Sequence, residues 1–196
     1  MTAGPALRLA CLVSGGGRSV MNLQDRIERG ELHARIELVL ATRAGVPAID
    51  RARARGLAVA EIAPVPRETL DDRVDAALGA VRPDLVVLAG YLRLFRVHAW
   101  RGRCINIHPA LLPRHGGPGL WGHHVHETVL ASGDRESGCT VHWVDERYDH
   151  GEPILQRRCP VLADDTPDTL ADRVFAEELQ ALPEAIRRVA TVVRPA

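Results

Sequence analysis

The sequence predicts an α/β fold with a mostly parallel, twisted sheet, helices on both of its faces and a mixed C-terminal part. Short apolar segments typical of buried strands alternate with longer segments of helical periodicity, and this alternation predicts parallel strands joined by helices. A glycine-rich turn follows the first apolar segment, and two polar residues close a later one. We interpret residues 1–196 as a single domain, because no linker, repeat or low-complexity segment interrupts the pattern.

Seven segments have the length and composition of strands. Most are nearly continuous aliphatic runs, as expected where both faces of a parallel sheet are covered. The predicted strands are Leu7–Val13, Ile36–Ala41, Leu57–Ile62, Leu85–Ala89, Cys104–His108, Cys139–Val144 and Ile154–Val161. No helical segment separates the last two strands, so we expect these two to pair antiparallel.

Five segments show the apolar spacing of three or four residues that is typical of amphipathic helices. Glycine or proline follows most of them and indicates where they end. The predicted helices are Ser19–Glu28, Pro47–Arg55, Thr69–Val81, His123–Ala131 and Pro167–Val193. The last helix contains Pro183, which predicts a kink.

The charges of the chain are balanced, with 25 Lys and Arg against 25 Asp and Glu. This balance gives no reason to expect binding to nucleic acid or to an anionic membrane. The sequence has neither a transmembrane segment nor the features of a signal peptide. Its four cysteines lie far apart without a CxxC pair, as is typical of reduced thiols. We therefore expect a cytoplasmic monomer or homodimer that acts on small molecules.

The turn Ser14–Ser19, with the sequence SGGGRS, lies between the first predicted strand and the first predicted helix. Its three glycines allow the backbone to approach a ligand, and the helix N-terminus offers N–H groups that suit a phosphate. A plain tight turn is the alternative. The motifs GxGxxG and GxxxxGK[ST] are both absent, and Arg43 after the second strand leaves an NADP-binding oxidoreductase as an alternative from a different class.

Asn106 and His108 lie at the carboxyl end of a predicted strand and on one of its faces, because Ile107 points the other way. Ligands of α/β sheets bind at this end of the strands. An amide and an imidazolium that donate to one point would form an oxyanion site. A carboxylate in contact with His108 would orient it and favour its charged form. The loop between the last two strands offers four carboxylates, and its sequence pattern does not choose among them: Asp145, Glu146, Asp149 and Glu152.

The segment His123–Glu127, with the sequence HHVHE, begins a predicted helix. Its histidines could suggest a metal site, but a third well-placed ligand, an HExxH motif and a cysteine partner are missing. We therefore predict that no metal is bound, and that His123 and His126 face the functional site.

Several of these motifs together resemble one family, the folate-dependent formyltransferases. They are NIHPALLPR at Asn106–Arg114, GCTVHWVDERYDHGEPILQ at Gly138–Gln156, DLVVLAGYLRLF at Asp84–Phe95, and SGGGRSVMNL at Ser14–Leu23. The similarity covers nearly the whole chain. It implies a Rossmann-like formyltransferase domain in which 10-formyltetrahydrofolate is the formyl donor.

The resemblance also implies roles for individual residues. The implied catalytic residues are Asn106, His108 and Asp149. The implied phosphate-binding residues are Gly15, Gly16, Gly17, Arg18 and Ser19, and Glu178 is implied to contact the amine substrate. The implied folate-binding residues are Leu92, Arg93, Leu94, Phe95, Asp145, Tyr148 and Gly151.

Within the family, the resemblance implies the amine of glycinamide ribonucleotide as the formyl acceptor, a step of purine biosynthesis. Aminosugar formyltransferases and formyltetrahydrofolate deformylase use the same three catalytic residues and stay as alternatives. Methionyl-tRNA formyltransferase needs a second, tRNA-binding domain, which we do not expect here. A non-catalytic protein that binds folate or a sugar phosphate is a further alternative.

Overall fold

The computed structural model describes residues 4–193, which contain seven strands and five α-helices. The strands are β1 (Leu7–Val13), β2 (Ala34–Ala41), β3 (Val59–Glu61), β4 (Leu85–Leu88), β5 (Cys104–His108), β6 (Glu136–Trp143) and β7 (Pro153–Pro160). The helices are α1 (Arg18–Glu28), α2 (Pro47–Ala54), α3 (Arg67–Val81), α4 (His123–Ala131) and α5 (Pro167–Val193). This order confirms the predicted α/β fold class.

The chain forms two compact units. The first unit holds the described residues up to Arg96 together with those from Val189 onward, and the second unit is Val97–Arg188. The prediction of a single domain stays a prediction.

In the first unit, β1 is central and pairs in parallel with both β2 and β4, and β3 pairs in parallel with β2. Leu9 and Leu12 of β1, Leu40 of β2 and Leu85 of β4 are completely buried. Full burial of such a side chain contributes about 1.5–3 kcal/mol to stability. This apolar layer holds the carboxyl ends of β1 and β4 side by side, and Ser14 N–H donates to the Gly90 carbonyl just beyond them (2.9 Å).

In the second unit, β6 is central and pairs antiparallel with both β5 and β7. The antiparallel pairing of the last two strands was predicted. The antiparallel pairing of β5 with β6 was not, because α4 lies between them in the chain and a helical connection favours parallel strands.

Element boundaries differ from the predicted ones mainly at strand ends. Strand β6 begins at Glu136, three residues before the predicted start, and β3 is confined to Val59–Glu61. A 3₁₀ turn at His98–Trp100 was not predicted. Helix α5 runs through Pro183.

All four cysteines are buried and free, as expected. Among the helices of the described range, none combines the length and the apolar character that crossing a membrane requires.

Candidate active site

Asn106 and His108 belong to a patch of four polar side chains on one face of the second unit. The antiparallel register places Asn106 opposite His142 and His108 opposite Thr140. Directly opposite residues share a face of the sheet, so β6 contributes two side chains to the patch. His108, Thr140 and His142 are all buried. Thr140 and His142 were not predicted as site residues, although their spacing of two along a strand is the signal that would have indicated them.

Asp149 lies in the turn before β7 and its carboxylate reaches this patch. One oxygen, Oδ1, accepts a hydrogen bond from Asn106 Nδ2 (3.3 Å) and lies 3.7 Å from His142 Nε2. The other, Oδ2, lies 3.5 Å from His108 Nδ1 and accepts a hydrogen bond from the backbone N–H of Gly117 (3.0 Å). The structure thus brings together the three residues for which the resemblance implied catalytic roles.

Two of the other three acidic residues of this loop have other partners. Asp145 accepts hydrogen bonds from the Arg147 backbone N–H (2.8 Å) and lies 2.6 Å from His150 Nδ1. Glu146 forms an ion pair with Arg101. Asp149 is therefore the carboxylate of the loop that contacts His108, a choice that the sequence pattern alone left open.

Two close backbone approaches hold the Asp149 turn in place. A Cβ atom on Gly151 would lie 1.8 Å from the carbonyl oxygen of Trp143, so only glycine fits there. A Cβ atom on Gly116 would lie 2.4 Å from Leu112 Cδ2 and 3.1 Å from Asp149 Cβ. Asp149 itself has a φ of 52°, in the left-handed region that Asp and Asn tolerate better than most residues.

The hydrogen-bond partners fix which ring nitrogens carry protons. His142 Nδ1 lies 2.8 Å from the Trp143 carbonyl, which can only accept, so Nδ1 donates and Nε2 is free to accept from Asn106 Nδ2 (3.1 Å). His108 Nε2 likewise donates to the His115 carbonyl (2.8 Å). The nitrogen of His108 that gains or loses a proton is therefore Nδ1, which faces Asp149.

Burial and charge act in opposite directions on His108. Burial lowers the pKa of His108, and the negative charge of Asp149 opposes this shift without cancelling it. Burial also acts to raise the pKa of Asp149, but its polar surroundings, including His108 and the Gly117 N–H, lower it overall. Asp149 thus favours the charged form of His108, as expected, but the desolvation of the ring outweighs this attraction and the net shift is downward.

A buried network anchors the segment that follows β5. Thr140 Oγ1 donates to the Ala110 carbonyl (2.6 Å) and accepts from the Leu112 N–H (3.0 Å). Gln156 Nε2 donates both to Thr140 Oγ1 (3.0 Å) and to the Leu112 carbonyl (2.8 Å). The chain beyond β5 is thereby fixed, which positions the His115 carbonyl that accepts from His108.

The glycine-rich turn of the first unit has the geometry of an anion-binding loop. Gly17 caps α1 with a φ of 71°, and a Cβ atom there would lie 2.5 Å from the Cβ of Ala48. The Gly15 carbonyl accepts from the Ala48 N–H (3.1 Å) and the Gly17 carbonyl from the Met21 N–H (3.0 Å). Gly15 and Gly16 are exposed, so a ligand can reach the loop. Within residues 4–193, no hydrogen bond from the N–H of Gly15, Gly16 or Gly17 is recorded.

Comparison with known proteins agrees with these motifs. The sequence model of the family described as formyl transferase matches residues 7–186 of the chain. The chain belongs to the formyl transferase family.

Named relatives of the chain are purine-pathway proteins. The chain is 40% identical over 187 residues to the trifunctional purine biosynthetic protein adenosine-3 of Drosophila melanogaster. This alignment covers 91% of the chain and 14% of that protein. The chain is 39% identical over 186 residues to the chloroplastic phosphoribosylglycinamide formyltransferase of Vigna unguiculata. This alignment covers 91% of the chain and 59% of that protein. The chain thus spans about one seventh of the first relative and three fifths of the second.

Alignments with solved structures of similar fold cover most of this chain and most of the solved chain. The glycinamide ribonucleotide transformylase 1 of Symbiobacterium toebii superposes with a TM-score of 0.88 at 37% identity, covering 94% of this chain and 88% of that one. The phosphoribosylglycinamide formyltransferase of Brucella melitensis gives 0.86 at 35% identity, covering 94% and 96%.

The folate-side residues implied by the resemblance differ in exposure. Leu92 is exposed, and its N–H donates to Ser14 Oγ (3.2 Å), while Arg93 is exposed and Leu94 half-buried. Phe95 is buried against Tyr91, with 6.5 Å between the ring centroids, so its side chain belongs to the core. In the second unit, Tyr148 is exposed and Asp145 is held by His150.

Glu178 lies on α5 and is half-buried. Its negative charge acts together with the larger effect of burial to raise the pKa of the Cys139 thiol. Cys139 lies on the opposite face of β6 from Thr140 and His142, because successive strand residues alternate in direction. The role of Glu178 toward a substrate stays a prediction.

The histidines of α4 divide into an exposed group and one buried residue. His123 lies near Asp168 (3.3 Å) and Glu127 (3.5 Å), and His124 contacts Glu127 (2.9 Å). His126 is buried, and its Nδ1 has no hydrogen-bond partner among the described residues. Of the predicted pair, only His126 is buried, with its charge coupled to that of His108. No group of three potential metal ligands lies in residues 4–193.

Proposed function

We propose that this protein transfers the formyl group of 10-formyltetrahydrofolate to the amine of glycinamide ribonucleotide, a step of purine biosynthesis. The convergence of Asn106, His108 and Asp149, with 3.3 Å and 3.5 Å between the carboxylate and its two neighbours, carries this proposal. Family membership and the names of the relatives support it, and they remove the reason to consider an NADP-binding oxidoreductase.

The reaction moves one carbon between two nitrogens. The glycyl amine attacks the formyl carbon, a new C–N bond forms, and the bond from that carbon to N10 of the folate breaks. The amine loses a proton and N10 gains one, so the two amines exchange a formyl group for a proton. Negative charge develops on the formyl oxygen during the attack, and hydrogen-bond donors aimed at that oxygen stabilise the transition state.

Asn106 and His108 supply such donors. Both N–H bonds of the Asn106 amide and the Nε2–H of His108 are oriented by protein acceptors, namely His142, Asp149 and the His115 carbonyl. In the transition state, the oxyanion would replace one of these acceptors. Loss of one such donor lowers the rate by roughly 10²–10³ in comparable sites.

We assign proton transfer to the His108–Asp149 pair. Because burial lowers the pKa of His108 and so favours the neutral ring, Nδ1 can accept the proton of the attacking amine. Asp149 would stabilise the imidazolium that results, and the proton would then pass to N10, directly or through water. Asp149 thus stabilises the His108 ring when it is charged, and it orients the ring in both the neutral and the charged form.

The glycine-rich turn is proposed to bind the phosphate of the amine substrate. Its N–H groups and the N-terminus of α1 provide donors and a positive dipole end. Gly15, Gly16, Gly17, Arg18 and Ser19 form this proposed site in the first unit. For Glu178, in the second unit, we propose a contact with the amine substrate. We propose folate-binding roles for Leu92–Phe95 in the first unit, where Phe95 contributes backbone atoms, and for Asp145, Tyr148 and Gly151 in the second unit.

The decisive experiment is an assay of the purified protein with 10-formyltetrahydrofolate and a panel of acceptors, followed through the absorbance of the folate product. We expect turnover with glycinamide ribonucleotide and little with its unphosphorylated analogue. Equal turnover of both would contradict phosphate binding by the turn. Folate product with water or with an aminosugar instead would identify a deformylase or an aminosugar formyltransferase.

The remaining expectations concern cellular context. We propose a cytoplasmic enzyme with small-molecule substrates, because four buried free cysteines suit a reducing compartment. We further propose that it works as a monomer or homodimer and without a metal. Sedimentation analysis and an assay in the presence of a chelator test these two points.

A further inference from the structure

Two arginine side chains bind carbonyl groups of the glycine-rich turn. Arg43 Nη2 donates to the Ser14 carbonyl (2.7 Å), and Arg51 Nη1 donates to the Gly16 carbonyl (2.6 Å). The Gly15 carbonyl between them accepts from the Ala48 N–H (3.1 Å). Three successive carbonyl groups of the turn are therefore held by donors from outside it.

These contacts determine where the N–H groups of the turn point. In a trans peptide the C=O of one residue and the N–H of the next point in opposite directions. With the Ser14, Gly15 and Gly16 carbonyls directed at their donors, the N–H groups of Gly15, Gly16 and Gly17 point away from those donors. Arg43 and Arg51 thus fix the peptide planes in the orientation that an anion needs.

The charges of the two arginines are also uncompensated. Neither Arg43 nor Arg51 has a recorded carboxylate partner within 4.0 Å among the described residues. The neighbouring arginines differ: Arg53 pairs with Asp50 (2.9 Å) and Arg55 with Asp25 (2.8 Å). Two positive charges therefore remain beside a turn whose N–H groups point outward, and they would attract a dianionic phosphate.

We propose that Arg43 and Arg51 are positioning residues of the phosphate site, which hold the turn through its carbonyl groups and add to the positive potential there. This inference rests on the proposed function only in taking the ligand to be a sugar phosphate. Their effect falls on the affinity for the phosphorylated substrate, and the chemical step is left unchanged.

The test measures binding of ribose 5-phosphate to the full-length protein by calorimetry, which needs no turnover. We expect Arg43→Met and Arg51→Met to weaken binding roughly tenfold or more, as for the loss of a charge-assisted hydrogen bond. Arg51→Lys keeps a charge and a donor and should restore most of the affinity. Arg53→Met is the matched control, since its charge is already paired, and it should bind as the wild type does.

A kinetic measurement separates positioning from a general structural effect. With Arg51→Met, the KM for glycinamide ribonucleotide should rise roughly tenfold, while kcat and the KM for the folate stay unchanged. Activity on the unphosphorylated analogue should also stay unchanged.

The outcomes distinguish this inference from the proposed function. Wild-type affinity for ribose 5-phosphate in both methionine variants, or no binding by the wild type, overturns the inference even if formyl transfer is observed. Weaker binding in both variants without any formyl transfer supports the inference and overturns the proposed function.

Discussion

Oδ2 of Asp149 lies 3.5 Å from Nδ1 of His108, the ring nitrogen that is left without another partner once Nε2 donates to the His115 carbonyl. The carboxylate raises the pKa of His108 against the larger opposing effect of burial. Because Oδ1 of the same carboxylate accepts from Asn106, one side chain orients both residues of the proposed oxyanion site. Replacement of Asp149 is therefore expected to affect both Asn106 and His108.

Replacement of Asp149 by Asn should lower kcat by roughly 10²–10⁴, the range of lost general acid–base assistance. The fold should survive, because Asn is nearly isosteric and tolerates the left-handed backbone at this position. Without the charge, the pKa of His108 falls further, so the step in the kcat profile that reports His108 should move to lower pH. Kinetics against pH measure both effects.

Asp145→Asn and Glu152→Gln are the controls for this substitution. Both should change kcat much less than Asp149→Asn does. A nearly wild-type Asp149→Asn enzyme alongside an inactive Asp145→Asn enzyme would place the catalytic acid four residues earlier in the chain.

Replacement of Glu178 by Ala should raise the KM for the amine substrate far more than the KM for the folate. A carboxylate can accept hydrogen bonds from the ribose hydroxyl groups or the ammonium group of that substrate. The neighbouring Glu177→Ala is the matched control, because Glu177 is held by Arg157 at 2.7 Å. A rise in the folate KM instead would show that Glu178 is wrongly assigned.

Replacement of Gly17 by Ala should weaken binding of the phosphorylated amine and lower stability. The added Cβ would lie 2.5 Å from the Cβ of Ala48, so the turn or α2 must shift. Gly30→Ala is a control with nearly the same φ, 72° against 71°, and no atom within 4 Å of the new Cβ. It should show only the backbone strain, about 1–2 kcal/mol, with an unchanged KM. Equal KM values in the two variants would contradict a special role for the turn.

His126 should make the protein less stable in acid. Burial, and the charges of His123 and His108, lower its pKa from 6.5 to about 4. Between these two values the unfolded chain binds the proton more strongly, so stability falls as pH decreases from about 6.5 to about 4. The loss is on the order of 2–3 kcal/mol over that interval.

Urea unfolding of His126→Gln at several pH values tests this prediction. The variant should lose less stability than the wild type between pH 6.5 and pH 4, the window set by the pKa shift. His124→Gln, an exposed substitution on the same helix, should follow the wild type. Parallel stability curves for wild type and His126→Gln would show that His126 is not a source of the acid sensitivity.

Local sequence patterns were sufficient to predict most helices and strands, the fold class and the principal candidate residues. Periodicity is a local property, so an apolar run or a spacing of three and four residues predicts an element without knowledge of its neighbours. Asn106 and His108 could be placed on one face of β5 for the same reason. The glycine-rich turn was recognisable because its requirement for close backbone approach is also local.

Which strands are neighbours and which residues meet became clear only in the folded chain. The antiparallel pairing of β5 with β6 brings His142 and Thr140 to Asn106 and His108, and strand alternation alone cannot supply a register between residues 32 and 36 positions apart. The fold also singled out Asp149 among four acids, and it showed that burial of His108 outweighs the effect of the Asp149 charge on its pKa. Burial is a sum over contacts from distant parts of the chain, so the sequence indicates which side chains can titrate and the folded structure decides how strongly they do so.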